Sequence, residues 1–466
     1  MTSMKSINPA TGATLAEYPM LSPAELEAKL ARAHETAATW RRTPVAKRAA
    51  MVARLGDLLD AEKDRLGRLM TSEMGKPIKA AIDEAAKCAA ACRFYAEHGP
   101  GFVADTQVDD EGHRSFVSYD PLGVVLAIMP WNFPFWQAIR FMAPAFVAGN
   151  VGLLKHASNV PGCALELESL VRRAGAPEGV FQTLLVGSDA VAGILADPRV
   201  AAATLTGSEG AGRSVAQHAG EHLKKTVLEL GGSDPFVVLP SADLERVVKT
   251  AVTARTINNG QSCIAAKRFI VHEQIASKFL DGFVDGMRAL RMGDPMDPAT
   301  QLGPLASPRQ AEELEEQVAK SVEMGARLRC GGKRTTPGGA YFPATVLTDI
   351  PVESPAYRDE LFGPVGCVFV ARDLDDAIRI ANDTRFGLGS SAWTNDPAEQ
   401  ERLVRELDAG SVFVNDMVVS DPRFPFGGVK ASGYGRELSD VGMREFTNVK
   451  TVRVKLGSAG SGGTTE

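Results

Sequence analysis

Gly123-Val124-Val125-Leu126-Ala127-Ile128 is an uninterrupted apolar run, and after Met129 it is followed by Pro130-Trp131-Asn132-Phe133-Pro134. A run this short reads as a buried strand. Similar runs recur at 151–154, 200–205 and 226–230, and helical patterns fill the intervals at 134–148, 160–174, 188–196 and 208–222. Strands alternating with helices at this spacing predict a parallel α/β sheet with crossover helices. A second series follows residue 231, with helices near 243–258, 272–290, 307–323, 373–382 and 397–407. Two such series predict two α/β domains facing a ligand cleft. Upstream, the first hundred residues read as helices, opened by Ser22-Pro23-Ala24-Glu25, an N-cap with a capping-box Glu and a Pro at the first helical position. Segments 44–73 and 76–98 continue in that style.

The chain has 466 residues, 44% hydrophobic and 23% charged, with a net charge of −6. That balance belongs to a soluble globular protein of two or three domains and asks for neither nucleic acid nor an anionic membrane. The N-terminus lacks the apolar region of a signal peptide, and six scattered cysteines do not form a disulfide framework. A reducing cytoplasm is the expected home. The Gly/Ser-rich tail at 457–466 is expected to be disordered.

Four stretches could carry chemistry. Asn258-Asn259-Gly260-Gln261-Ser262-Cys263 places a Cys after a polar turn, where a nucleophile could face a cleft, although most cysteines are buried structural thiols. Leu228-Glu229-Leu230-Gly231-Gly232 puts one carboxylate in an apolar strand, where burial would raise its pKa toward the range of a general base; a strand-end Glu in solvent is the plainer alternative. Asn132, between prolines and aromatics, could hold its amide rigidly for an oxyanion, or only make turn hydrogen bonds. Gly207-Ser208-Glu209-Gly210-Ala211-Gly212 opens a helix after a strand, as a phosphate-cradling turn would, but Val215 stands where the dinucleotide fingerprint needs its third Gly. His218 and His222 share helical spacing without a third ligand, and no metal is expected.

Taken together, P-W-N-F-P at 130–134, L-E-L-G-G at 228–232, G-Q-S-C at 260–263, E-L-F-G-P at 360–364 and P-F-G-G-V-K-x-S-G-Y-G-R-E at 425–437 resemble the aldehyde dehydrogenase superfamily over residues 7–455. The resemblance implies an α/β fold of three parts. These are a Rossmann-like cofactor domain (1–102 and 122–231), a catalytic domain (232–445) and a small β oligomerisation element (103–121 and 446–456) joining a homodimer or homotetramer. It implies that Cys263 attacks an aldehyde, that Asn132 and the Cys263 N–H hold the oxyanion, and that Glu229 activates water against the thioester. It assigns Ile128, Trp131, Lys155, Ser158, Gly207, Ser208, Glu360 and Phe362 to the cofactor. Members preferring NAD often carry a Glu where this chain has Ser158, and a hydroxyl beside Lys155 suits a 2′-phosphate, so NADP is expected, with NAD tolerated. Arg140 and Ser420 resemble positions that clamp the distal carboxylate in succinate-semialdehyde dehydrogenases, and Trp136 is placed with them in the substrate site. Ile257 stands where some of those enzymes carry a second Arg, which keeps glutarate semialdehyde and general aliphatic aldehydes as competing substrates. A CoA-acylating relative is disfavoured by Glu229, and a non-catalytic one by the joint presence of Cys263, Glu229 and Asn132.

Overall fold

The computed structural model describes residues 3–456. The expected disorder of 457–466 lies outside the described residues. The chain opens with an antiparallel hairpin of β1 (Ser3–Ile7) and β2 (Thr14–Pro19), where the sequence reading had only helices. The hairpin escapes notice because its strands are short and largely exposed. Four helices follow, α1 (Pro23–Trp40), α2 (Val45–Ala61), α3 (Lys63–Met74) and α4 (Ile78–Phe102). The capping box forms, with the Glu25 carboxylate accepting from the Ser22 N–H at 2.8 Å. The single segment expected over 44–73 is two helices, broken at Glu62.

After β3 (Thr106–Val108) and β4 (His113–Pro121), the alternating series begins: β5 (Val124–Met129), α5 (Trp136–Ala148), β6 (Val151–His156), α6 (Pro161–Arg173), β7 (Phe181–Thr183), α7 (Ala190–Ala196), β8 (Val200–Thr206), α8 (Glu209–Glu221) and β9 (Lys225–Glu229). The chain winds outward from β5 through β6 to β7, then returns to lay β8 on the other side of β5. The strand order therefore reverses between β5 and β8, and a crevice opens beyond their carboxyl ends, where open α/β sheets bind ligands.

The second series comprises β10 (Pro235–Val238), α9 (Leu244–Thr256), β11 (Arg268–His272), α10 (Glu273–Arg288), α11 (Pro308–Glu323), β12 (Arg327–Cys330), β13 (Thr345–Thr348), α12 (Pro355–Arg358), β14 (Val365–Ala371), α13 (Leu374–Asn382), β15 (Gly389–Trp393), α14 (Pro397–Glu406) and β16 (Ser411–Val414). These strands form a seven-stranded sheet in the order β12-β13-β14-β11-β10-β15-β16, antiparallel only at β12. The chain ends with β17 (Gly433–Tyr434), α15 (Ser439–Arg444) and β18 (Thr447–Lys455). β17 pairs with β9 and so belongs to the first sheet, although the 232–445 span had placed it in the second domain. β18 lies along β4 from Thr447↔Pro121 to Lys455↔His113, and β3 completes a three-stranded sheet.

α5 is the helix that positions the site. Every residue from Trp136 to Ala148 is buried, so its polar side chains, Gln137 and Arg140, must find partners inside the fold.

Candidate active site

The segment entering β11 is a strained turn pinned from several sides. Asn258 and Asn259 adopt left-handed backbone, φ 54° and 58°, a region that Asn tolerates better than other side chains. Asn259 donates to the carbonyls of Gly75 (3.0 Å) and Pro304 (2.9 Å) and accepts from the Gly303 N–H (2.8 Å). Asn258 donates to the Asn132 carbonyl at 2.7 Å and the Gln261 carbonyl at 2.9 Å. Asn132 itself donates from Nδ2 to Gln261 O at 3.1 Å, which leaves the second amide hydrogen for a ligand. Buried Lys267 gathers the carbonyls of Ser262, Cys263 and Ala265 at 2.9, 2.8 and 3.1 Å and lies 3.3 Å from Glu360. The Cys263 N–H donates to no acceptor among the described residues.

Cys263 stands where two cavities meet, and it is the one residue that lines both. The first, about 250 Å³, is walled by Phe133, Trp136, Arg140, Val418, Ser420 and Phe426, with Lys87 reaching in from α4. The second, about 260 Å³, lies at the β5/β8 crevice. It takes Trp131 and Asn132 from the end of β5, Gly207 and Ser208 from the end of β8, Gly231 after β9, and Glu360 and Phe362 from the segment entering β14. Burial pushes the Cys263 thiol up to about 12, with Glu360 adding to the rise, while Lys267 and Arg140 pull it back.

The second cavity suits a nicotinamide dinucleotide. Trp131 and Phe362 meet edge to face at 5.7 Å and give it an aromatic corner. Glu360 brings a carboxylate, and Gly231 makes room for it, since a Cβ there would lie 2.5 Å from Glu360 Oε2. Ser208 caps α8 at the β8 end, its Oγ accepting from the Ala211 N–H at 3.3 Å. Ile128 and Lys155 are register partners on β5 and β6, while Ser158 is exposed in the turn after β6. Lys155 is half-buried and its pKa is lowered by that burial; no protein carboxylate pairs with it among the described residues.

Glu229 ends β9 fully buried, and neither carboxyl oxygen has a hydrogen-bond partner among the described residues. Burial raises its pKa well above the carboxylate range, Arg140 opposes that rise, and Glu437 adds to it. Its carboxyl packs on Gly427, where a Cβ would stand 2.7 Å from Oε1, and it lines neither cavity. Arg140 lines the first cavity; its Nε forms an ion pair with buried Glu437, its Nη2 donates to Thr206 Oγ1 at 3.1 Å, and its guanidinium lies 4.6 Å over the Phe426 ring. The reading of the sequence gave Glu437 no role and passed over Lys87 and Lys267. Burial is what marks those three, and linear spacing carries no such signal.

The aldehyde dehydrogenase family model matches residues 1–452, and the chain belongs to that family. Its sequence is 56% identical over 468 residues to the NADP(+) succinate-semialdehyde dehydrogenase of Mycobacterium avium, covering 99% of each chain. It is likewise 56% identical over 450 residues to an enzyme of the same name from Mycobacterium tuberculosis, covering 96% of this chain and 98% of that one. Among solved structures, the succinic semialdehyde dehydrogenase of Streptococcus pyogenes in complex with NADP+ superposes with a TM-score of 0.95. It is 35% identical, with 97% of this chain and 100% of that one covered. The succinate-semialdehyde dehydrogenase of Burkholderia pseudomallei gives 0.94 at 34% identity, over 97% and 95%.

Proposed function

We propose that this aldehyde dehydrogenase oxidises succinic semialdehyde to succinate with NADP, accepting NAD less well, through a covalent thioester on Cys263. The observation that carries this reading is Cys263 at the junction of the crevice beyond β5 and β8 and a separate acyl cavity containing cations. The names of its 56% identical relatives point the same way.

Cys263 gives up its proton to solvent water, its sulfur bonds to the aldehyde carbon, and the carbonyl π pair moves to oxygen, which becomes an oxyanion. Asn132 Nδ2 and the Cys263 N–H are the donors available to it. When bound, the dinucleotide supplies the acceptor for the thiohemiacetal's hydride, which leaves a thioester on Cys263. Glu229 then turns away from Gly427, takes a proton from water, and the resulting hydroxide adds to the thioester carbon. The carbon–sulfur bond breaks, succinate departs, and the thiolate is restored. Ile128, Trp131, Lys155, Ser158, Gly207, Ser208, Glu360 and Phe362 would hold the cofactor; Trp136, Arg140 and Ser420 would shape the acyl cavity.

No helix among the described residues is long and apolar enough to cross a membrane. All six cysteines are free thiols, in keeping with a cytoplasmic setting. The β3–β4–β18 sheet exposes Val108, Val449 and Val454 on its edge strands, a surface suited to pairing in a homodimer or homotetramer.

Absorbance at 340 nm with succinic semialdehyde, glutarate semialdehyde and butanal, each with NADP and with NAD, tests the reading. Succinic semialdehyde with NADP is expected to give the highest kcat/KM. Equal values for butanal would leave an aldehyde dehydrogenase without the proposed substrate.

A further inference from the structure

Asp83 and Lys87 stand four residues apart on α4. In the fold, Lys87 turns into the acyl cavity. Its Nζ donates to Ser420 Oγ at 2.7 Å and lies 4.2 Å above the Trp136 ring. Ser420 is itself buried.

The acids near Lys87 are engaged elsewhere. Glu84 is paired with Lys76 and accepts the N–H groups of Phe135 and Trp136 at 2.9 Å each. Asp421 pairs with Arg423 at 2.6 Å, and Asp83 stands exposed at the rim. The other cation of the cavity, Arg140, already has Glu437. Among the described residues, no carboxylate lies within ion-pair distance of Lys87, a costly state for a largely buried charge. Burial, and secondarily Arg140, lower its pKa to about 8, so at neutral pH most of it still carries the charge. Two of its three ammonium hydrogens, and the hydrogen of the Ser420 hydroxyl, remain for a ligand in the cavity.

We propose that Lys87 contacts the substrate's distal carboxylate directly, alongside Arg140 and the Ser420 hydroxyl. The inference rests on the semialdehyde reading above. The carboxylate supplies the counter-charge that the fold withholds from Lys87, and the Trp136 face fixes where the ammonium can stand.

The test is the ratio of kcat/KM for succinic semialdehyde to that for butanal, both measured with NADP on the same preparation. An inactive fraction then cancels from the ratio. The wild type is expected to show a high ratio, and Lys87→Met to lower it by about tenfold or more, chiefly through the semialdehyde's KM. Lys87→Arg should keep most of it. Lys87→Gln, which retains a donor to Ser420, serves as a second neutral variant if Met prevents folding. Arg140→Gln should lower the ratio as well, since Arg140 lines the same cavity. A wild-type ratio near one would remove the semialdehyde reading, and this inference with it. A high wild-type ratio that survives the neutral Lys87 variants would overturn the Lys87 contact alone.

Discussion

Glu229 and Glu437 are buried carboxyls within the field of one guanidinium. Burial raises both, and Arg140 pulls both back. Glu437 holds Arg140 in place, whereas Glu229, with neither oxygen bonded, can exchange a proton with water once it turns away from Gly427. Removing that capacity should separate the two halves of the reaction. Glu229→Gln is expected to retain a rapid first-turnover burst of reduced cofactor while steady-state kcat falls about a hundred- to ten-thousandfold, as seen by stopped-flow absorbance. Full steady-state turnover would transfer the base to another group. At the other end of the cofactor crevice, Ser158→Glu would set a carboxylate where a 2′-phosphate is expected. The NADP-to-NAD ratio of kcat/KM should drop by about tenfold or more, through like-charge repulsion.

Between elements, the catalytic turn and the segment entering β14 touch through backbone. Gly260 has φ +74°, and a Cβ on it would fall 2.3 Å from the Gly363 carbonyl carbon. Neither backbone can yield without moving Cys263 on one side or Glu360 and Phe362 on the other. Gly260→Ala is accordingly expected to cost about 2–5 kcal/mol of stability, strain and overpacking combined, read from urea unfolding followed by circular dichroism. A variant as stable as wild type would show that the turn has room the structure denies it. β11 and β14 are parallel neighbours, Arg268 opposite Cys367, so the segments that enter them emerge side by side. That pairing brings the G-Q-S-C and E-L-F-G-P motifs together across about a hundred intervening residues.

At the scale of the whole molecule, the site draws on α4, α5, the loops after β5, β8 and β9, the segments entering β11 and β14, and the loop after β16. Its pH response should reflect groups that titrate in opposite senses. Cys263, pushed up to about 12, and Glu229, raised by burial, must lose protons to act, so kcat/KM rises with pH. Lys87, lowered to about 8, must keep its proton to hold a carboxylate, so that contact weakens above pH 8. The groups facing it are Arg140 on α5, Glu84 and Cys88 on α4, and Asp421 in the loop after β16. Since kcat/KM reports the free enzyme, its profile for succinic semialdehyde should flatten above pH 8 while that for butanal keeps rising. Parallel profiles for the two aldehydes would remove Lys87 from the account.

The sequence by itself determined the alternating architecture, because buried parallel strands leave apolar runs that need no partner to be recognised. It also singled out Cys263, Glu229 and Asn132, each of which sits in a local setting unusual for its residue type, and the ordered motifs around them sufficed for the family. The β1–β2 hairpin stayed hidden, since two short exposed strands carry little periodic signal. The placement of charge was decided by the tertiary structure alone. Arg140 faces the cavity in both readings, yet only the fold brings Glu437, some three hundred residues away, against it; only the fold turns Lys87 inward without a counter-ion. Whether an ionisable side chain is free to meet a ligand depends on what long-range packing sets beside it. That neighbour is fixed by topology and burial, and the spacing of residues along the chain does not encode it.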